Sequence, residues 1–319
     1  MTISFIKKAV IRRMRKVILA PIKACNTIYY LLSDKKKTLV VNASVFQFLS
    51  CTRHYNLGDD LNIYLLKELT GKKIFVNNQF YHKPIYNIMC IGSVIDWLSN
   101  DYTSIWGAGI IEPSLEKNSV SRLKKATVLA VRVKYTRNIL LQNGINCPKV
   151  FGDPALLLPY IYSPKVKIVK DRIGFIPHFY DKNDSNLIRL LQEHRSNTIL
   201  IKIQGYKNWK ETINEILSCE FIVSSSLHGL ILSDAYEVPN LWVSFSDRLK
   251  GGTFKFKDYY SAVGKETNEY VISDKTSIND LLNERENFTK IHFDPKPLMG
   301  VCPFPIVHPE IRKIMELAE

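Results

Sequence analysis

The chain has 319 residues, 46% hydrophobic and 23% charged, enough apolar material for a buried core and too much for global disorder. That length suits two domains of ordinary size or one large one. Six cysteines without C-x-x-C spacing argue against a zinc site or a disulfide framework and make a reducing cytoplasm the natural home. The formal charge is +14, and much of it sits in one place: the first 37 residues carry ten basic side chains against Asp34 alone.

In that N-terminal arm, residues 1–37, Ile3, Ile6, Val10, Met14 and Val17 share one helical face, and Lys8, Arg12, Arg15 and Lys16 the other. This is a basic amphipathic helix, and it predicts adsorption of residues 1–34 to an anionic membrane surface. Each basic residue near such a surface adds roughly 1 kcal/mol. Lys23 interrupts the best apolar run, so no segment is long enough to span a bilayer; the 17–22 run is too short for a signal peptide. A helix packed on its own domain is the alternative. Nucleic acid is not expected, since no zinc motif, RNP-like string or aromatic-interleaved basic patch accompanies the charge.

Residues 38–160 alternate short apolar runs with helical ones. Strands are expected at 45–49, 73–76, 86–91, 104–106 and 127–131, with helices at 59–69, stopped by Thr70-Gly71, and at 135–143, closed by Gly144. Such alternation predicts a parallel sheet with crossover helices. The loop 54–60 holds Asn56, Gly58 and Asp59, residue types that permit a tight turn into a helix; Asp59 is the expected cap. The loop is neither a P-loop nor a dinucleotide fingerprint, and it is either a ligand-facing turn or simply a capped one. Trp106-Gly107-Ala108-Gly109 is a second small-residue turn after a strand, able to admit a ligand or to pack two elements tightly. Arg132 directly follows a strand, where a guanidinium suits a carboxylate or phosphate.

Residues 165–290 repeat the pattern. Strands are expected at 172–176, 198–203, 221–223 and 239–245, helices at 185–193, 209–218 and from Leu227. Two α/β halves of this kind predict two Rossmann-like domains facing a cleft, where active sites tend to lie. The run FIVSSSLHGLILSDA, 221–235, organises the second half. A buried strand ends in Ser224, Ser225 and Ser226 and enters a helix, so backbone N–H groups and the helix dipole favour an anion there. His228 on the first turn can hold or transfer a proton near neutral pH. Arg248 and Lys250, after the last strand, are expected at the same sheet edge, making with Arg132 a cationic pocket around one imidazole. A final helix at 306–317, within a C-terminal segment 303–319, packs back on the fold.

Six strings then line up in order: NLGDD at 56–60, WGAG at 106–109, VRVKYTRNIL at 131–140, FGDPALLLP at 151–159, SSSLHGLILSDAYEVP at 224–239 and FKFKDYYSAVG at 254–264. In these the chain resembles the polysaccharide pyruvyltransferase family over roughly 44–265. Two places depart from the family pattern: Val133 and Lys134 follow Arg132, and Ser226 stands where an arginine often precedes Leu-His-Gly. The resemblance implies a GT-B-like fold and a phosphoenolpyruvate donor. The acceptor would be a sugar of a bacterial surface polysaccharide, or its lipid-linked oligosaccharide precursor, on which a pyruvate ketal forms. It implies catalytic roles for Arg132, His228 and Arg248. Asn56, Gly58, Asp59, Gly107, Ser225, Ser226 and Lys250 are the candidate substrate contacts. No metal or cofactor is required. The expected place is cytoplasmic, peripheral at the inner face of the plasma membrane. Two other readings compete: a GT-B-like glycosyltransferase using a nucleotide sugar, and a non-catalytic peripheral membrane scaffold in polysaccharide assembly.

Overall fold

The computed structural model describes residues 19–49, 51–52, 55–77, 80, 85–245, 253–266 and 268–316. The first half opens with helix α1 (19–31), then β1 (Thr38–Val41), β2 (Gln47–Phe48), β3 (Cys51–Thr52), α2 (Leu57–Thr70), β4 (Lys73–Val76), β5 (Asn87–Met89), α3 (Ile95–Leu98), β6 (Thr103–Trp106), α4 (Lys117–Leu123), β7 (Thr127–Ala130), α5 (Lys134–Gln142) and α6 (Leu158–Ile161). The second half runs β8 (Ile173–Ile176), α7 (Ser185–Glu193), β9 (Thr198–Leu200), α8 (Trp209–Leu217), β10 (Phe221–Ser224), α9 (Leu227–Ala235), β11 (Asn240–Ser244), α10 (Phe254–Ala262), β12 (Tyr270–Val271), α11 (Ile278–Glu284), α12 (Pro295–Gly300) and α13 (Pro309–Glu316).

The protein is mixed α/β, built on two five-stranded parallel sheets ordered β4-β1-β5-β6-β7 and β12-β11-β10-β8-β9. Numbered within its own sheet, each follows the order 2-1-3-4-5, so the chain reverses direction across the sheet between β1 and β5 and between β8 and β10. In doubly wound sheets ligands bind beyond the carboxyl ends of the strands at such reversals.

Local chemistry accounts for the helix limits. Asp59 and Asp60 lie in the first turn of α2, where they oppose the positive end of the dipole, and Gly71, at φ 63°, ends it in the left-handed conformation. Asp184, Asn208 and Asp294 each accept the backbone N–H two residues on, and Ser277 with Asp280 forms a capping box.

Several sequence expectations shift. The first sheet begins with β1, an inner strand between β4 and β5, and the expected strand at 45–49 is reduced to one arm of the antiparallel hairpin β2–β3. Gln47 is buried there because its amide takes the place of a strand partner, donating to the Ile74 carbonyl and accepting from the Val76 N–H. Helix α2 starts at Leu57, two residues early, and Asn56 rather than Asp59 is its cap residue. The Leu57 side chain is fully buried and its N–H donates to Ile203 O at 2.7 Å, so tertiary contact sets the start.

The N-terminal arm divides. Residues 1–18 lie outside the described residues. Helix α1 packs on the fold: Asn26 is buried and donates to Gln47 O, while Tyr29 and Tyr30 meet Phe75 and Tyr30 also meets Phe80. Ile28, Leu31 and Leu32 remain exposed. No helix among the described residues is long and apolar enough to cross a membrane.

One hydrophobic cluster runs through both halves, from Leu61 and Trp106 to Ile222, Leu230 and Trp242. An isolated antiparallel bridge, Asn56 with Gln204, clips the loop before α2 to the chain leaving β9, and Tyr206 donates to Asp60 Oδ2 at 2.9 Å beside it. The C-terminal segment returns to the first half. Trp106 Nε1 donates to Leu298 O, Phe304 meets the Trp106 ring edge-on, and Ile311 of α13 is buried.

Candidate functional site

Both strand reversals open onto one cleft of about 630 Å³. From the second half come Ser226 and His228 of the β10–α9 turn, His178 after β8, and Lys255 on α10. The first half contributes Asn56 and Asp59 at the start of α2, Ser44 after β1 and Ser93 after β5. Around α3 and α4 the first-half wall adds Asp96, Trp97, Glu112, Glu116 and Arg122. The second-half wall is therefore cationic or titratable, and the first-half wall largely acidic with one exposed indole.

The serines after β10 have different tasks. Ser224 Oγ donates within the turn and accepts the Ser226 N–H. Ser225, expected to contact a ligand, is committed elsewhere: its hydroxyl donates to Asp181 Oδ2 at 2.7 Å and accepts the His178 N–H at 2.9 Å. It wires the β8 exit to the β10 exit. Ser226 is the cap residue of α9 and makes no side-chain capping bond, so its hydroxyl and the N-terminus of α9 face the cleft.

His228 stands on the first turn of α9 with its ring against Gly58. A Cβ on Gly58 would fall 1.9 Å from His228 Nδ1. This glycine serves close approach, since only a residue without a side chain leaves room for the ring. Two motifs separated by most of the chain thus interlock, and each explains the other's composition. His228 Nε2 is buried with no hydrogen-bond partner among the described residues. Burial, then Arg132, Lys255 and His178, push the imidazole down to about 3. The ring is consequently neutral and able to take a proton once negative charge arrives.

Lys255 was not singled out in the sequence, although the string FKFKDYYSAVG contains it. It is nearly buried, and burial followed by Arg132 brings its ammonium down to about 8. The available signal was a lysine between two phenylalanines, a charge placed where a helix turns its apolar face inward. His178 was also missed. Burial and Lys255 lower it to about 4. Arg248 and Lys250, the cations expected at this edge, lie outside the described residues.

Arg132 is 1% exposed and does not line the cleft. Its Nη2 donates to Ser93 Oγ at 2.8 Å, and its guanidinium lies over Gly109, where a Cβ would come within 2.7 Å of Nη2. Its Nε and Nη1 are buried without partners among the described residues. Arg132, expected to suit a carboxylate or phosphate, stands one layer behind Ser93. Asp153 and Asp258 share its field: burial raises each carboxyl to about 6, and Arg132 holds both down. Asp258, on α10, also accepts from Thr136 Oγ1 and is held by the Thr136 and Tyr135 amides at the start of α5, so the two halves share that helix cap. Gly107 does not reach the cleft. At φ 95° it packs on Pro154, and a Cβ there would lie 2.4 Å from the proline ring.

Asp59 lines the cleft one residue after Gly58. Its Oδ2 accepts from Asn56 Nδ2 at 2.8 Å. Burial and the neighbouring Asp60 raise the carboxyl to about 7, against the pull of Asn56 and Lys255. No group of His, Cys, Asp and Glu among the described residues is arranged to hold a metal ion.

An uncharacterised protein of Acanthamoeba polyphaga mimivirus is 29% identical over 238 residues, covering 72% of this chain and 79% of that one. Among solved structures, an uncharacterised protein of Klebsiella pneumoniae aligns at TM-score 0.43 and 14% identity, covering 86% of this chain and 100% of that one. The wall teichoic acid polymerase TagF aligns at TM-score 0.42 and 10% identity, covering 99% and 93%. At these scores neither structural likeness bears on the site. The sequence model of polysaccharide pyruvyl transferases matches residues 56–247, which hold the interlocked Gly58 and His228, Arg132 behind them and the strand reversal between β8 and β10. This chain belongs to the polysaccharide pyruvyl transferase family.

Proposed function

We propose that the protein transfers the pyruvyl group of phosphoenolpyruvate to two hydroxyls of one sugar in a bacterial surface polysaccharide or its lipid-linked precursor. The products are a cyclic ketal and phosphate. The observation that carries this reading is the second-half wall of the cleft: a neutral imidazole at the N-terminus of α9, flanked by Lys255 and His178, with Arg132 behind. Phosphoenolpyruvate brings about three negative charges. Such a trianion relieves the repulsion between Arg132 and Lys255 and accepts from the N–H groups at the N-terminus of α9.

In this reading the two sheets are the cores of two Rossmann-like domains, 38–160 and 165–290, facing one another as in GT-B enzymes. Lys255, in the role sequence reasoning gave to Arg248, receives the phosphate or carboxylate. Arg132 supplies a fixed positive field and, through Ser93, a contact at the floor. His228 handles the proton of an attacking hydroxyl, a role worth typically 10²- to 10⁴-fold. The acceptor enters along the first-half wall, where Trp97 offers an aromatic face and the carboxylates of Asp96, Glu112 and Glu116 accept from sugar hydroxyls. Residues 1–18, with six basic side chains, hold the protein at an anionic surface where a lipid-linked acceptor would lie.

Calorimetric titration with phosphoenolpyruvate, with UDP- and CMP-sugars in parallel, tests the donor. Binding of phosphoenolpyruvate, weakened in His228→Ala, supports the reading. Binding of a nucleotide sugar in its place makes the protein a glycosyltransferase.

A further inference from the structure

Ketal formation from an enol phosphate needs two kinds of proton movement. The methylene carbon must gain a proton, and two hydroxyls must each lose one. His228 suits the second task, because burial and then the charges of Arg132 and Lys255 hold its ring uncharged. A neutral imidazole has no proton to spare on Nε2 for carbon, so the first task calls for another group.

Asp59 occupies the right place. It lies on the same helical turn as Gly58, where a Cβ would fall 1.9 Å from His228 Nδ1. Its Oδ2 is fixed by Asn56. Its Oδ1 sits beside Gly92, where a Cβ would lie 3.3 Å away, and takes part in no hydrogen bond among the described residues. One oxygen is thus anchored and the other left available within the cleft. The surrounding charges are mixed: Asp60 on its own helix, Lys255 on α10, His228 on α9, His178 after β8, Asp96, Glu112, Glu116 and Arg122 on the first-half wall, and Arg132 behind the floor. Burial and Asp60 outweigh Lys255, so near neutral pH the carboxyl keeps its proton in a sizeable part of the molecules. A carboxyl and an imidazole whose environments push them in opposite directions form an acid–base pair.

We propose that Asp59 is a catalytic residue, the acid that protonates the donor's methylene carbon, with His228 as the base for the acceptor hydroxyl. The assignment rests on the phosphoenolpyruvate reading above. The Asp59 O–H bond breaks as the C3–H bond forms, leaving C2 electron-poor. The first hydroxyl bonds to C2 and passes its proton to His228. The C2–O bond to phosphate then breaks, and His228 returns its proton to the departing phosphate. The second hydroxyl bonds to C2 and gives its proton to the Asp59 carboxylate, restoring the site. Donor trianion and neutral diol become a ketal monoanion and hydrogen phosphate dianion, so charge and protons balance.

The assignment predicts that an ionised Asp59 opposes the trianion. Calorimetry of the full chain with phosphoenolpyruvate, in buffers of different ionisation enthalpy, should show affinity falling about tenfold per pH unit above about 7, with proton uptake on binding. Asp59→Asn should remove one proton of that uptake and flatten the profile while still binding the donor. Phosphate release with a methyl hexopyranoside as acceptor should fall at least about 10²-fold in Asp59→Asn, and Asp59→Glu should recover part of it. Undiminished proton uptake in Asp59→Asn, or phosphate release at the parent rate, overturns the assignment and leaves the proposed function standing. A parent chain that binds no phosphoenolpyruvate overturns both.

Discussion

The contact between Gly58 and His228 makes the sharpest test of the site, because it separates packing from chemistry. In Gly58→Ala the new methyl would lie 1.9 Å from His228 Nδ1, 2.1 Å from Cγ and 2.4 Å from Cε1. Ordinary contact begins at 3.4 Å, so the ring must retreat by about 1.5 Å. Position 58 is inside α2 and its φ is not in the left-handed region. Alanine there favours the helix by up to about 1 kcal/mol, against about 1–3 kcal/mol for overpacking. The net loss of stability is therefore at most about 3 kcal/mol, a fall in Tm of a few degrees for a chain of this size. Catalysis should suffer far more, since displacing a reacting group by about 1 Å can cost about 10²-fold. Thermal melting and phosphate release from phosphoenolpyruvate, measured on the same preparation, would show the split. A variant with the parent's Tm and the parent's turnover would falsify the claim that the ring position matters.

Three further outcomes are expected. Lys255→Ala should weaken phosphoenolpyruvate binding about ten- to a hundredfold, as expected for a charged hydrogen bond of about 1.5–3 kcal/mol; unchanged affinity in titration calorimetry would remove Lys255 from the donor site. Lys265 and Asp234 form a buried ion pair at 3.0 Å, joined by Asn240 and Tyr259. Lys265→Ala should lower stability by about 3–5 kcal/mol by stranding the carboxylate, and a loss near zero in urea denaturation would show that the pair is not what holds that corner together. His178 and His228 are both pushed below the usual 6.5, to about 4 and about 3. Their neutral burial contributes stability in full above 6.5, and that contribution is lost as pH falls from there toward the folded values. The acid loss should be shallower in His178→Gln, and denaturation midpoints at pH 7.5 and 5 that shift equally in parent and variant would contradict it.

The arrangement also explains why the cleft suits an anion. Arg132, Lys255, His178 and His228 are brought together from a loop after β7, from α10, and from the exits of β8 and β10. The two histidines stay neutral there, and the repulsion between Arg132 and Lys255 costs stability that a bound trianion can return, the usual exchange of stability for preorganisation at a site. Asp153 and Asp258, each facing Arg132, limit that cost without entering the cleft.

The sequence by itself determined the α/β class, the parallel alternation and the place of the key turn. FIVS is apolar and β-branched, SSS is a hydroxyl-rich exit, and Leu-His-Gly opens a helix; those are local propensities, readable from neighbours in the chain. It also singled out Gly58 and His228, though as separate features. Only the tertiary structure decided that they touch, because a Cβ-sized gap between residues on α2 and α9 depends on how two sheets pack, and periodicity carries no information on that. The same reason underlies the cations. Arg132 follows a strand as expected, yet burial places it behind Ser93. Lys255 reads in sequence as one lysine among several, and becomes a site residue only because α10 turns it into the cleft. Asp59 reads as a helix cap; the low dielectric around it and the charge of Asp60, both products of packing, are what make it an acid.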